Sequence, residues 1–211
     1  MADTTPRISD PARRRLLQGL LPAGACLCLG RANLLAAALG GQEEAPADVH
    51  KFAADSGMSF EAVFRFAFQS YYIPCLQKLA EEIGREAFLE MVKRVSSEAA
   101  AERQREWART LPKTDFETYV SIGKQRKNRF VQHVLTDEVV EERPDFLRTK
   151  ITECLWAKIF REAGAEDLGY AAICHPDFAM ARAFNPKIRL ERPTTLMQGD
   201  ECCDFRYIWE G

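Results

Sequence analysis

Residues 202–209 read Cys-Cys-Asp-Phe-Arg-Tyr-Ile-Trp, and their character alternates with a period of two. In an extended strand that period sends Cys203, Phe205, Tyr207 and Trp209 to one face. Cys202, Asp204, Arg206 and Ile208 take the other. The first face is too apolar to stay in water, so the strand must belong to a sheet that other elements cover. Residues 187–195 supply its partner, with a turn around Gln198-Gly199-Asp200. A register slip of one residue would exchange Cys203 for Cys202 on the covered face.

The rest of the chain supplies the cover. Ser59 caps a helix in which Phe60, Val63, Phe64, Phe68, Tyr71, Cys75, Leu76, Leu79 and Ile83 recur at helical spacing. Pro74 should kink it and Gly84 should end it. Phe88, Met91, Val92 and Val95 mark a second helix. Its polar continuation, Ser96 to Arg109, reads as a solvated face or a long exposed helix, and offers a surface for a homodimer. Thr114-Asp115-Phe116-Glu117 reads as a capping box opening a third helix. The basic run Lys124 to Arg129 reads as a solvated face or a docking site for an anionic group. Residues 130–141 and 146–151, rich in Val, Phe, Ile and Thr, predict two antiparallel strands around Arg143-Pro144-Asp145. Short helices follow: one at Leu155–Ala163 closed by Gly164, one at about 166–173, and one opened by Pro176-Asp177 and ended by Asn185-Pro186. The predicted fold class is α+β, with N-terminal helices followed by a small antiparallel sheet of about four strands, covered by helices on one face.

At 211 residues the chain suits one domain, and its net charge of −2 argues against a nucleic-acid coat. Charge is uneven, however. Residues 1–38 hold five arginines against Asp3 and Asp10. Arg13-Arg14-Arg15-Leu16-Leu17-Gln18 looks like a twin-arginine motif. A mildly apolar run to Leu29, then Arg31 and Ala36-Ala37-Ala38, complete the pattern of an export signal. The run is too short and interrupted for a membrane span. The expected organisation is an export signal over 1–39, a linker over 40–58, and one domain over 59–211. The mature chain would start near Gly40, in the periplasm or outside, after transient contact with the twin-arginine export machinery. The alternative is an N-terminal amphipathic helix on a cytoplasmic protein. Five cysteines remain beyond the signal, an odd count at irregular spacing that is no disulfide framework. Cys75 and Cys154 read as small core hydrophobes.

The chemistry-bearing residues crowd the last third: Cys174-His175-Pro176-Asp177, Asn185-Pro186, Arg192-Pro193-Thr194-Thr195, and Gly199-Asp200-Glu201-Cys202-Cys203-Asp204. Three readings compete. Cys203 is a thiolate nucleophile with His175 or Asp177 as its base, against the plain reading of a packed strand cysteine. Alternatively, Cys174, His175, Asp177 and Cys203 bind a metal, although no CxxC or HExxH spacing supports one. Third, Arg192 grips a ligand carboxylate in a non-catalytic pocket. Asp177 also has the simple reading of a helix cap, and Asn185 that of a helix stop.

The ordered set C-x-x-D, N-P, then R-x-x-T-x-x-x-G-D-x-x-C-D-F, carried by Cys174 through Phe205, resembles the L-2-amino-thiazoline-4-carboxylic acid hydrolase family. Pro193 departs from it, standing where a threonine is expected. The resemblance implies opening of a cyclic amidine ring to N-carbamoyl-L-cysteine, with no cofactor and a carboxylate-bearing small molecule as partner. It implies Arg192 on the substrate carboxylate and Asp177 or His175 as general acid and base. Cys203 is implied as nucleophile or pocket wall, Asp204 as an orienting group, and Thr195 as a hydrogen-bond donor. Cys174, Asn185 and Gly199 fall on the substrate side, the Gly199-Asp200 turn shaping the rim. The alternative is a non-catalytic small-ligand-binding or sensor module of the same fold.

Overall fold

The computed structural model describes residues 57–125 and 129–211. The expected export signal, the linker up to residue 56 and the middle of the basic run lie outside the described residues. Residues Ser59–Gly211 form one compact unit.

Helix α1 (Phe60–Ala67) starts where the sequence placed it. Ser59 Oγ accepts the Ala62 N–H at 3.1 Å, satisfying one of the donors a helix start leaves open. Pro74 lacks an N–H, and the helix accommodates that defect with a π turn (Phe68–Tyr72) just before it. Helix α2 (Ile73–Ile83) then runs to Gly84, whose φ of 93° favours glycine.

Helix α3 (Arg85–Ala108) corrects one expectation. Its polar continuation is solvated on one face only, through Glu102, Arg103, Arg105 and Glu106, whereas Ala100, Ala101, Gln104 and Ala108 are buried. The stripe has helical spacing but is made of alanines and an amide, so it carries little hydrophobic signal. Small side chains there let helix α8 (Pro176–Phe184) approach closely.

Helix α4 (Phe116–Gln125) is capped by Asp115 and not by Thr114. Asp115 Oδ1 accepts the Thr118 N–H at 2.9 Å. Residues 130–134 are not strand as expected, but belong to the short helix α5 (Arg129–Val134). Aromatic packing explains the difference. Phe130 meets Phe60, Phe64 and Trp156, and His133 meets Phe60. A helical turn aims Phe130 and Val134 at the core together.

Strands β1 (Leu135–Arg143) and β2 (Phe146–Cys154) form a hairpin around Pro144-Asp145. After helices α6 (Leu155–Glu162), α7 (Glu166–Gly169), a second π turn (Tyr170–Cys174) and α8 come β3 (Ile188–Glu191) and β4 (Cys203–Trp209). The sheet is antiparallel in order β1-β2-β4-β3. The register pairs Leu147 with Tyr207, Thr149 with Phe205 and Ile151 with Cys203. Those residues face the helices, and Cys203, Phe205, Ile188, Leu190 and Phe184 share one core. β3 is shorter than expected, so Arg192 lies beyond the strand and is free to turn inward.

Candidate functional site

Arg192 is the first residue past β3, and Pro193 behind it cannot continue a ladder. Its side chain is 1% exposed. A guanidinium survives such burial only with a counter-charge and partners for its donors. Nη1 donates to Asp177 Oδ2 at 2.7 Å and Nη2 to the Cys174 carbonyl at 3.0 Å. The guanidinium carbon lies 5.0 Å from the ring centres of Phe178 and Phe205 and 5.6 Å from that of Tyr170. Three aromatic faces thus add cation–π attraction. Among the described residues Nε has no hydrogen-bond partner.

The second π turn makes this cage. It widens the ladder so that the His175 N–H bonds to the Tyr170 carbonyl at 2.8 Å. The Cys174 carbonyl is left to Arg192, and the Tyr170 ring lies beside it. Asp177 stands in the first turn of α8, where the helix dipole favours a negative charge. Yet burial pushes its pKa up to about 6, outweighing the nearby Arg192 guanidinium. A third of its side-chain surface (33%) still reaches solvent. The two facts fit a recessed carboxyl, crowded on its flanks by protein and open at its tip.

Cys203 is 6% exposed, under the loop 192–202. Its sulfur accepts the Leu196 N–H at 3.3 Å and donates toward Thr195 Oγ1 at 3.5 Å. The loop is stiff because its own side chains tie it. Asp200 Oδ2 accepts the Thr195 N–H at 2.7 Å, Thr195 Oγ1 accepts the Met197 N–H at 3.3 Å, and Gly199 turns it with a φ of 99°. Thr195, 2% exposed, therefore holds the loop together beneath its surface. Cys154 and Cys174 are near enough to feel Cys203, and burial pushes their thiols up to about 11 and 12. Cys154 sits at the edge of this group and caps α6 through its sulfur, whereas Cys75 is exposed and not a core residue.

Three expected members stand elsewhere. His175 turns toward α3, its Nδ1 3.0 Å from Ser97 Oγ. Its ring packs edge-on against Tyr170 and Phe178, the same rings that flank Arg192. Burial holds its pKa below the ordinary value. Asp204 lies on the sheet face opposite Cys203, where it accepts from Arg148 Nε at 2.8 Å and Arg206 Nη2 at 2.7 Å. Those arginines, Arg148 first, keep its pKa low. Asn185 spends its amide on the Thr114 carbonyl (2.8 Å) and the Lys187 N–H (2.9 Å), which is the work of a helix stop. Among the described residues no three His, Cys, Asp or Glu side chains are placed to share a metal ion.

Residues outside the expected set complete the neighbourhood. Tyr119 on α4 and Tyr207 on β4 pack with ring centres 5.3 Å apart, and burial raises both phenol pKa values. The charge of Asp177 raises both further. Alternation placed Tyr207 on the covered face; nothing in the sequence pairs it with Tyr119. A cavity of about 280 Å³ adjoins the two rings. A larger groove of about 970 Å³, between Phe116, Glu142 and Trp209, holds none of the candidate residues.

The family model described as L-2-amino-thiazoline-4-carboxylic acid hydrolase matches residues 61–207, which include Asp177, Arg192, Thr195 and Cys203. No curated protein matches the chain.

Proposed function

This chain belongs to the L-2-amino-thiazoline-4-carboxylic acid hydrolase family, and on that footing we propose that it hydrolyses L-2-amino-thiazoline-4-carboxylate, or a related cyclic amidine, to N-carbamoyl-L-cysteine. The observation that carries the reading is the recessed, partly open Asp177 carboxyl, with its pKa raised to about 6 and a buried Arg192 locked behind it. A carboxyl with that pKa changes protonation near neutral pH, where general acid–base catalysis works best.

In the proposed reaction Asp177 takes a proton from water as the oxygen bonds to the amidine carbon; the π pair of the carbon–nitrogen double bond moves to the ring nitrogen, which receives the remaining hydroxyl proton as the carbonyl forms. The carbon–sulfur bond of the resulting tetrahedral centre breaks. Its electron pair leaves with the ring sulfur, and Asp177 returns the proton to that thiolate. One water is consumed and a carbamoyl group and a free thiol result. Arg192 keeps Asp177 oriented and holds it ionised at the start of the cycle. The guanidinium is committed to this pair, so the substrate carboxylate requires other partners than the one the resemblance suggested.

Cys203 offers a second balanced route. Its sulfur would add to the amidine carbon, expel the ring sulfur, and be released by water. The Leu196 N–H fixes the position of that sulfur beneath the loop. Cys203→Ala separates the routes: complete loss of turnover supports the covalent one, and near-normal kcat supports direct attack by water. The reading as a whole is tested by thiol release from L-2-amino-thiazoline-4-carboxylate with purified protein. No release from folded protein contradicts it. Export of the chain through the twin-arginine pathway is proposed as well. N-terminal sequencing of protein from its native host that finds Met1 or Ala2 intact contradicts that.

A further inference from the structure

The cavity of about 280 Å³ lies between α3, α4, α8 and the covered face of the sheet, lined by Gln104, Trp107, Tyr119, Leu147, Met180 and Tyr207 among others. Its size is at the small end for ligand pockets and suits one small ring, not a peptide or a nucleotide. The mouth carries exposed apolar side chains, Val139 and Met180, at 48% and 36% exposure. Trp107 and Leu147 supply apolar walls to pack a ring.

Two polar features set this cavity apart from a packing defect. Gln104 is 8% exposed and lines it, yet among the described residues no group hydrogen-bonds to its amide. Its amide atoms are not sealed from solvent, the buried unpartnered side-chain atoms among the described residues being Trp156 Nε1 and Arg192 Nε; an amide that opens onto a cavity and is bound to no other group is available to an occupant. The second feature is Tyr119 and Tyr207. Their hydroxyls lie close enough that each alters the proton affinity of the other, and burial raises both pKa values further above the ordinary value, at which a phenol is already neutral at pH 7. Neutral phenols in a wall that is apolar apart from Gln104, Lys124, Asp137 and Thr149 donate hydrogen bonds to an anion or a carbonyl.

The same tyrosines sense the charge of Asp177. Met180, at the mouth, lies one helical turn from Asp177 on α8. Asp177 does not itself line the cavity, but its charge reaches both tyrosines that do.

We propose that this cavity is the chamber for the small carboxylate-bearing ring, and that Gln104 and Tyr119 are its recognition groups. The assignment rests on the hydrolase reading for the identity of the ring, and it names residues that Arg192, being buried and paired, leaves to do the gripping. The amide of Gln104 presents both a donor and an acceptor, which matches an amidine edge. The phenol of Tyr119 donates to the carboxylate.

The test combines kinetics and binding of L-2-amino-thiazoline-4-carboxylate to full-length protein. Each hydrogen bond lost should weaken binding about 10-fold. Gln104→Leu and Tyr119→Phe should therefore raise KM by about that factor with kcat changed much less, their thermal melts staying cooperative. Calorimetric titration of the Asp177→Asn protein, alone and combined with Gln104→Leu, should show the same loss in affinity without turnover. If wild type turns over but neither variant changes KM or affinity, the chamber is wrong and the hydrolase reading survives. If wild type binds the ring without turning it over, and Gln104→Leu weakens that binding, the chamber stands and the hydrolase reading fails. Neither binding nor turnover overturns both.

Discussion

At Arg192 a charge is held at 1% exposure by one carboxylate, one carbonyl and three aromatic rings. Removing one member of a buried pair leaves the other uncompensated, at a cost of about 3–5 kcal/mol. Arg192→Met should lose roughly that much stability at pH 8, measured by urea unfolding. It should lose less at pH 5, because Asp177 without its cation can take up a proton. Asp177 also sets a pH dependence of its own. Its pKa rises from the ordinary 3.8 to about 6 on folding. The folded state thus binds more protons between those values, and stability from this group is complete below pH 3.8 and is lost as pH rises through about 6. Urea midpoints between pH 4 and 7.5 should show that decline in wild type and lack it in Asp177→Asn. An identical slope in both would contradict the assignment. The sequence displays both residues in one ordered motif, but not their bond. Fifteen residues separate them, and only the π turn and the short β3 bring them together. Neither device has a period that side-chain pattern reveals.

At the scale of elements, the turn at Leu196–Gln198 rests on α7. A Cβ at Gly169 would stand 2.6 Å from Met197 Sδ and 2.7 Å from Phe160 Cγ. Gly169→Ala should cost about 1–3 kcal/mol by overpacking, seen as a lower melting temperature. It should also impair turnover, since the displaced turn carries Thr195 and the Leu196 N–H that holds Cys203. Helix α4 gives a cleaner contrast. Asp115→Ala should cost about 1 kcal/mol through loss of the cap, and Thr114→Ala less than about 0.5 kcal/mol. The reverse order would restore the capping box that the sequence suggests. Most elements were legible because their periods are strong: the alternation in β4, the aromatic stripe of α1, the Gly164 stop after α6. The failures have two causes. The alanine stripe of α3 lacks hydrophobic contrast, and the Phe130 turn is decided by aromatic partners far away in sequence.

Over the whole molecule, one sheet face is covered by helices and the other is polar, so the candidate thiols divide by depth. Among the described cysteines Cys75 is exposed and Cys203 is buried. Alkylation of native protein should label Cys75 in the fast phase. Cys203 should react only with global unfolding, at a rate that follows denaturant. Fast native labelling of Cys203 would instead mean that the loop 192–202 opens on its own. Asp177 and Arg192 meet where α8, the β3–β4 connection and the covered sheet face converge, and the tyrosine pair that lines the chamber lies within reach of the Asp177 charge. That convergence is a property of the topology, which is why the sequence displayed the motif but gave it His175, Asp204 and Asn185 as neighbours. The most direct measurement is the pH–rate profile of thiol release from L-2-amino-thiazoline-4-carboxylate by wild type and by Asp177→Asn. We expect the wild-type rate to rise with one group near pH 6, and the variant, still folded, to be slower by about 10²–10⁴-fold with that rise gone. A folded variant that keeps the wild-type rate and profile, or a folded wild type that releases no thiol, would contradict the account.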